Sequence, residues 1–184
     1  MSARNPNLAI RRHPLALLEE PERIRATRRG EIVHHALDAL GGPGGPRQAG
    51  APAGRPSEQE IERAVTQAFA ILDLDRAGWD IEQDFTRPIA RAFGLPQFSG
   101  WFDPSARSLR EAEILDADGR VLRPDRVIIG SDRIEVVDFK AGRREDDHRE
   151  QVATYVALLE AIFEGRPVEG YLVYIDEPAV VKVR

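Results

Sequence analysis

The chain of 184 residues contains no cysteine. Disulfide bonds and thiolate metal sites are therefore excluded, and with no sign of an oxidising compartment we expect a cytoplasmic location. No uninterrupted apolar run is long enough to cross a membrane. Charged residues and Pro14 break up the short apolar stretches near the N-terminus, so we expect no signal peptide and no membrane partner.

Lysine is also scarce: it occurs only as Lys140 and Lys182, although the chain has 26 basic residues against 31 acidic ones. The net charge of −5 argues against a large basic surface that binds nucleic acid electrostatically. Residues 1–30 nevertheless hold seven arginines and three acidic residues, which makes this stretch either a local phosphate-contacting patch or a solvated arm. An ammonium is a compact charge that arginine does not replace freely, so Lys140 indicates a specific task.

Residues 121–140 carry two short runs of β-branched residues separated by a Gly-Ser-Asp turn, which predicts a β-hairpin. If the hairpin is symmetric about residues 131–132, Asp125 lies opposite Asp138, and Lys140 projects from the same face two residues further on. Two carboxylates side by side repel each other unless a cation or a basic neighbour keeps them ionised. Oxygen ligands favour Mg²⁺ or Mn²⁺, so the hairpin predicts a metal site.

Pro124-Asp125 followed by Asp138-Phe139-Lys140 resembles the motif of the PD-(D/E)XK nucleases. More narrowly, the chain is similar to the RecB-like nuclease domain at the C-terminus of UvrD/RecB/AddA-type DNA helicases, because three further marks occur in the family's order. These marks are Gly30 with His34, Glu111 or Glu113, and Gln151 with Tyr155. The resemblance covers about residues 28–176. Members with an iron–sulfur cluster hold it by four cysteines, so we expect no such cluster here.

The resemblance implies an α/β fold with a restriction-endonuclease-like core, in which a central mixed β-sheet is flanked by helices and preceded by an N-terminal helical part. We expect a single nuclease domain over residues 1–184, forming the C-terminal part of a larger helicase-nuclease. The implied function is a metal-dependent DNA nuclease, an exonuclease acting with a helicase in recombination and repair. The sequence has no phosphate-binding loop, so the motor would lie elsewhere in the polypeptide or in a partner subunit.

The resemblance also implies roles for individual residues. The cofactor would be Mg²⁺ or Mn²⁺, and its ligands would be His34, Asp125, Asp138, the carbonyl of Phe139 and Glu111, with Glu113 as the alternate. The catalytic residues would be Asp125, Asp138, Lys140, Glu111, Gln151 and Tyr155. Lys140 would orient a water molecule and stabilise the transition state, while Gln151 and Tyr155 would position the lysine or the DNA backbone.

The apolar spacing of residues 27–40 predicts a helix that ends at a pair of glycines and follows an N-terminal arm over residues 1–28. His34 lies at the edge of the apolar face, next to the space that Gly30 leaves one turn earlier. His35 is rotated from it by about 100° and is expected to point elsewhere.

Residues 41–56 contain six glycines and four prolines, which predicts a flexible loop that can be shortened with little loss of stability. Ser57 and Glu60 form a capping box ahead of a second amphipathic helix. A third helix is expected over residues 79–94, with a break near Pro88.

The remaining pattern predicts the rest of the sheet. Residues 108–115 alternate as one strand, and the turn that follows brings either Glu111 or Glu113 level with Asp125, with Glu111 slightly preferred. A helix beginning at residue 146 or 147 and reaching residue 165 is followed by strands over residues 170–176 and 179–183.

Two other interpretations fit the sequence. The chain is then either a nuclease fold that binds DNA ends without cutting them, which suits its acidic composition, or an α/β interaction domain in which Lys140 pairs with a solvated carboxylate. A metal-dependent cleavage assay separates the first from an active nuclease. Following thermal stability during a Mn²⁺ titration separates the second, because an accidental cluster binds metal weakly.

Overall fold

The computed structural model describes residues 16–42, 55–103, 105–116, 118–142 and 147–184. Most of the predicted Gly/Pro loop over residues 41–56 lies outside these ranges, as do the first fifteen residues of the predicted N-terminal arm. The flexibility of that loop therefore stays a prediction.

Helices precede and interrupt a mixed sheet. The helices are α1 (Ala16–Gly41), α2 (Glu58–Ile71), α3 (Arg87–Ala92), α4 (Pro96–Gly100) and α5 (Asp147–Ile162), with a π-helical turn at Glu82–Thr86. The strands are β1 (Ser108–Arg110), β2 (Ile114–Leu115), β3 (Val121–Leu122), β4 (Arg126–Ile129), β5 (Ile134–Lys140), β6 (Val168–Tyr174) and β7 (Ala179–Lys182). Within the described ranges, no helix is both long enough and apolar enough to span a bilayer.

The five-stranded sheet has the order β1-β4-β5-β6-β7. Strands β5 and β6 run parallel and are joined through α5, whereas the other neighbouring pairs are antiparallel. The short strands β2 and β3 form a separate hairpin between β1 and β4. The expected α/β fold, with a mixed sheet, flanking helices and a helical N-terminal part, is confirmed.

Helix α1 begins earlier than its apolar pattern predicts, at Ala16 instead of residue 27. The predicted arm over residues 1–28 is thus wrong for residues 16–28, which are helical. This segment has little apolar stripe of its own, and Ile24 is half exposed. Contacts through two arginines hold it: Arg25 lies 3.9 Å from the centre of the Trp79 ring, and Arg29 donates to the backbone carbonyl of Asp84. Such tertiary contacts leave no periodic signal in the sequence.

The predicted helix start at residue 57 agrees with the structure, whereas the break predicted near Pro88 is a change of helix type and not an interruption. The Ser57 side chain accepts from the backbone of Glu60, and the Glu60 carboxylate accepts from the backbone of Ser57, so the capping box is confirmed. Pro88 lies in the first turn of α3, directly after the π-helical turn. The chain stays helical there, because Thr86 and Arg87 keep right-handed helical backbone angles, so the helix changes from π-helical to α-helical hydrogen bonding without stopping.

One continuous strand was predicted over residues 108–115, and this is wrong. Glu111 has a left-handed backbone with φ of +46°, which ends β1 at Arg110 and separates it from β2. That conformation is costly for a residue with a side chain. The break redirects the chain, so that Ile114 packs on the α5 side of the sheet.

The sheet separates two apolar clusters. On one face, α1 and α2 bury apolar stripes against the sheet. These stripes are Ile32, Val33, Ala36, Leu37 and Leu40 in α1, and Ile61, Ala64, Val65, Ala68 and Phe69 in α2. Phe98 and Phe102 pack against Phe139 of β5, with ring centres 5.6 and 5.9 Å away. The segment that follows Asp138 is therefore anchored in a core.

Helix α5 covers the other face. A Cβ atom at Gly170 of β6 would lie 2.6 and 2.7 Å from the side chains of Val156 and Val152. The helix approaches β6 this closely because residue 170 has no side chain. Close packing of this kind places the polar face of α5 beside the carboxyl end of β5.

Candidate active site at the carboxyl end of strand β5

Two aspartates meet where β4 begins and β5 ends. Arg126 of β4 pairs with Val137 of β5, so the residue before it, Asp125, comes level with Asp138. The backbone N–H of Phe139 donates to Oδ2 of Asp125 at 2.6 Å. The predicted symmetric register of the hairpin is confirmed, and it brings both motif carboxylates together.

Asp138 and Lys140 form a close ion pair. Nζ of Lys140 lies 2.7 Å from Oδ2 of Asp138, whose side chain is only 3% exposed. Burial raises the pKa of Asp138 to about 6, the charge of Asp125 adds to that rise, and Lys140 opposes it. Ionised Asp138 therefore depends on positive charge beside it.

The raised pKa of Asp138 makes a prediction about stability. A carboxyl group whose folded pKa lies above its ordinary value of 3.8 favours folding most below that value and destabilises the fold as pH rises through about 6. In metal-free buffer at pH 8, Asp138→Asn is thus expected to melt a few degrees higher than the unmodified chain. The difference should shrink as pH falls toward 4. Equal melting temperatures at pH 8 would show that ionisation of Asp138 does not destabilise the fold.

His34 reaches the same site from α1. Its Nδ1 lies 3.0 Å from Oδ1 of Asp125. Burial lowers the pKa of His34, but the hydrogen bond and the charge of Asp125 outweigh it, so the net shift is upward. Because a carboxylate can only accept, the proton lies on Nδ1, and neutral His34 presents the lone pair of Nε2. His35 is not among the residues that line this pocket.

Glu111, not Glu113, lies beside Asp125. The backbone N–H of Glu111 donates to the carbonyl of Asp125 at 3.2 Å, which continues the register of β1 with β4. Glu111 lines a small pocket together with His34 and Asp125. The Glu113 carboxylate instead pairs with the exposed side chain of Arg123. Of the two glutamates that spacing left open, the structure brings only Glu111 to the site.

These two glutamates give a matched pair of variants. Glu111→Gln removes a negative charge from the pocket and is expected to weaken metal-dependent activity at least about tenfold. Glu113→Gln removes the same charge from a solvent-exposed pair and is expected to leave activity within about twofold. The comparison is made by measuring activity across a Mg²⁺ titration. An equal loss of activity in the two variants would mean that the Glu111 carboxylate has no specific role in the site.

Gln151 and Tyr155 of α5 hold Lys140 through a chain of hydrogen bonds. Nζ of Lys140 donates to Oε1 of Gln151 at 2.9 Å, and Nε2 of Gln151 donates to the hydroxyl of Tyr155 at 2.7 Å. The Tyr155 hydroxyl lies 3.4 Å from the carbonyl of Arg123, just before the Pro-Asp motif. Burial and the charge of Asp138 raise the pKa of Tyr155 to about 12, so the phenol stays protonated. The chain thus links the lysine to the segment that carries Asp125.

The donor set suits a hard divalent cation. Asp125 and Asp138 offer carboxylate oxygens, His34 offers an imidazole nitrogen, and Oδ2 of Asp138 is buried with Nζ of Lys140 2.7 Å away. The pocket beside Asp125 has room for about one water-sized species. Across the described residues, no three His, Asp or Glu side chains converge as a ready-made metal-binding group. His34 and Lys140 hold the two aspartates instead.

Sequence reasoning missed Arg126, which lines the same pocket and is 2% exposed. Its Nη1 donates to the carbonyl of Trp101 at 2.8 Å, and its guanidinium carbon lies 4.1 Å from the centre of the Phe102 ring. Burial lowers the pKa of Arg126 to about 10, so it keeps its charge at neutral pH. A Cβ atom at Gly41 would lie 1.9 Å from Nη2 of Arg126, which explains the glycine at the end of α1.

Comparison with known protein families finds a match to a family model. The family model of the PD-(D/E)XK nuclease superfamily matches residues 7–183, nearly the whole chain, and includes every site residue described above. No curated protein matches the chain.

Proposed function

The chain belongs to the PD-(D/E)XK nuclease superfamily, and from this premise we propose that it is a metal-dependent deoxyribonuclease that hydrolyses phosphodiester bonds. The observation that carries the proposal is the meeting of Asp125 and Asp138 with Lys140 at the end of β5, where Nζ lies 2.7 Å from the buried carboxylate. Two carboxylates and an ammonium ion on one face provide ligands for a cation and a charge for the substrate.

The proposed cofactor is Mg²⁺ or Mn²⁺. Asp125 and Asp138 would hold it, with His34 through Nε2, Glu111 and the carbonyl of Phe139 as the other candidate ligands. When bound, the cation lowers the pKa of a water molecule and neutralises charge on the scissile phosphate. The hydrogen bond from the Phe139 amide keeps Asp125 at its place in this arrangement.

Lys140 is the proposed catalytic cation. Its side chain is 20% exposed, so solvent and a substrate phosphate have access to it. It would orient the attacking water and stabilise the extra negative charge of the transition state. Gln151 and Tyr155 act on it as positioning residues, because Gln151 accepts a hydrogen bond from Nζ and is itself held by the tyrosine hydroxyl.

We further propose that the enzyme is an exonuclease that works with a DNA helicase in end processing. A domain of net charge −5 is expected to bind DNA only weakly by itself. A motor in the same polypeptide or in a partner subunit would supply a high effective concentration of strand. The isolated chain is therefore expected to show weak, salt-sensitive activity that increases strongly when the motor is present with ATP. Tight, processive digestion by the isolated chain at physiological salt would contradict the helicase association.

The nuclease proposal is tested with end-labelled linear DNA and covalently closed circular DNA, each incubated with Mg²⁺, with Mn²⁺ or with chelator. We expect cleavage only with metal, and an exonuclease acts only on the linear molecule. Cutting of the closed circle would replace the exonuclease assignment with an endonuclease one. Absence of any cleavage under all metal conditions would refute the proposed activity.

A second candidate is a nuclease fold that binds DNA ends without cutting them. The acidic composition favours it, as do the contacts by which His34 and Lys140 already satisfy Asp125 and Asp138. The presence of Lys140 beside the buried carboxylate of Asp138 argues against this second candidate. Binding to labelled DNA ends without metal-dependent cleavage would identify this alternative.

A further inference from the structure

A positive charge lies buried in the wall of the candidate active site. Arg126 is 2% exposed and lines the small pocket that His34, Glu111 and Asp125 also line. We propose that Arg126 is a fixed internal cation of the site, which balances the acidic side chains beside it and limits the site to one divalent ion per chain. The inference rests on the proposed metal-dependent function and adds to it a positioning residue and a metal stoichiometry.

The guanidinium group of Arg126 is held in place by its surroundings. Its Nη1 donates to the carbonyl of Trp101 at 2.8 Å, and its guanidinium carbon lies 4.1 Å from the centre of the Phe102 ring. A Cβ atom at Gly41 would lie 1.9 Å from Nη2, so the space that this glycine leaves is filled by the arginine. Because these contacts fix the side chain, its charge is expected to stay beside the pocket when a cation binds.

No ion pair cancels this charge. Within the residues that the structure describes, no carboxylate forms an ion pair with Arg126, and its Nε atom is buried without a hydrogen-bond partner. Asp38 lines the same pocket, but its carboxylate is paired with Arg110 at 2.8 Å. Burying a charge without a close partner is costly, so a buried arginine of this kind indicates a task in the site.

The negative charge that Arg126 balances is that of Asp125 and Glu111. Burial lowers the pKa of Arg126 to about 10, and the charges of Asp38 and Asp125 oppose that effect. Arg126 therefore stays protonated at neutral pH and is attracted by Asp125 over a longer range than an ion pair. Glu111 lines the same pocket and forms no ion pair of its own among the described residues.

Room and charge together limit the site to one ion. The pocket has room for about one water-sized species. Asp125, Asp138 and Glu111 carry three negative charges when ionised. Arg126 and Lys140 carry two positive charges, which leaves one net negative charge for a cation. One divalent ion already reverses that balance, and a second would lie close to a buried guanidinium group, where repulsion between like charges is strong.

A purely structural arginine would behave differently. If Arg126 served only to bind the carbonyl of Trp101, its replacement would loosen the site, and metal affinity would fall or stay the same. If Arg126 acts by its charge, replacement by a neutral side chain relieves repulsion, so metal affinity rises although the fold loses a hydrogen bond. The direction of the change in metal affinity therefore separates the two roles.

The test is isothermal titration calorimetry with Mn²⁺ on metal-free protein, without nucleic acid. We expect the unmodified chain to bind one Mn²⁺, and Arg126→Met to bind Mn²⁺ at least about tenfold more tightly or to take up a second ion. Arg126→Lys keeps the charge and is expected to bind one ion with an affinity within about threefold of the unmodified chain. Arg63→Met removes the same charge from an exposed position on α2 and is expected to change the affinity by less than about twofold.

Binding of two Mn²⁺ ions with similar affinities by the unmodified chain would overturn the inference, and this measurement does not depend on the folding of any variant. A folded Arg126→Met that binds Mn²⁺ no more tightly than the unmodified chain would overturn it as well, as would Arg126→Lys if it behaved like Arg126→Met. DNA cleavage is measured separately. Two bound ions with metal-dependent cleavage refute the inference alone, one bound ion without cleavage refutes the nuclease function alone, and absence of Mn²⁺ binding refutes both.

Discussion

Lys140→Ala and Asp138→Ala are each expected to reduce DNA cleavage by about a thousandfold or more, since each removes a charge that the transition state requires. In the proposed mechanism, Lys140 would place an ammonium ion beside the substrate phosphate, and the buried carboxylate of Asp138 would supply an oxygen to the cation. Activity is measured under single-turnover conditions at saturating Mg²⁺. Circular dichroism melting checks that the variants stay folded.

The chain offers a matched control for the lysine variant. Lys182 is the other lysine, and its ammonium pairs with Glu169 on the far side of the sheet. Lys182→Ala is expected to keep cleavage within about twofold. Asp125→Ala should also abolish cleavage, although loss of the acceptor for the Phe139 amide lowers its stability as well. Undiminished cleavage in folded Asp138→Ala would refute the mechanism.

His34→Ala is expected to weaken Mn²⁺ binding at least about tenfold, whereas His35→Ala leaves it unchanged. Of these two histidines, His34 is the one that contacts Asp125, through Nδ1, and so presents Nε2 to the site. Isothermal titration calorimetry with Mn²⁺ measures the two affinities directly. The neighbouring histidine serves as the control, because the chemical change is identical.

The same pair of variants also separates a ligand from a structural residue. If His34 only stabilises the fold through Asp125, His34→Ala lowers the melting temperature but leaves Mn²⁺ affinity unchanged. Equal loss of affinity in both variants would remove the basis for choosing His34.

The central hairpin could be predicted because local chemistry determines its register. β-Branched runs on both sides of a short polar turn leave one symmetric pairing, and that pairing places Asp125 opposite Asp138. Lys140 then follows on the same face by the two-residue repeat of a strand. His34 was predictable only through its family spacing from Gly30, because an isolated histidine at a helix edge is not diagnostic.

Long-range contacts account for what the sequence did not reveal. The start of α1 depends on Arg25 and Arg29, whose partners lie more than fifty residues away along the chain. The break at Glu111 comes from its left-handed backbone conformation, which the alternation of apolar and polar side chains does not predict. Arg126 reads as an ordinary strand residue, and its buried position depends on the carbonyl of Trp101 and on the glycine that ends α1.

The most direct test of the account is the initial rate of cleavage of a labelled linear DNA as Mg²⁺ is titrated into metal-free protein, with Lys140→Ala measured in parallel. The account predicts a rate that rises from zero, saturates with metal, returns to zero on chelation, and is lost in the variant. Cleavage that persists in chelator or in Lys140→Ala would contradict it, as would a folded, metal-bound protein that leaves the DNA intact.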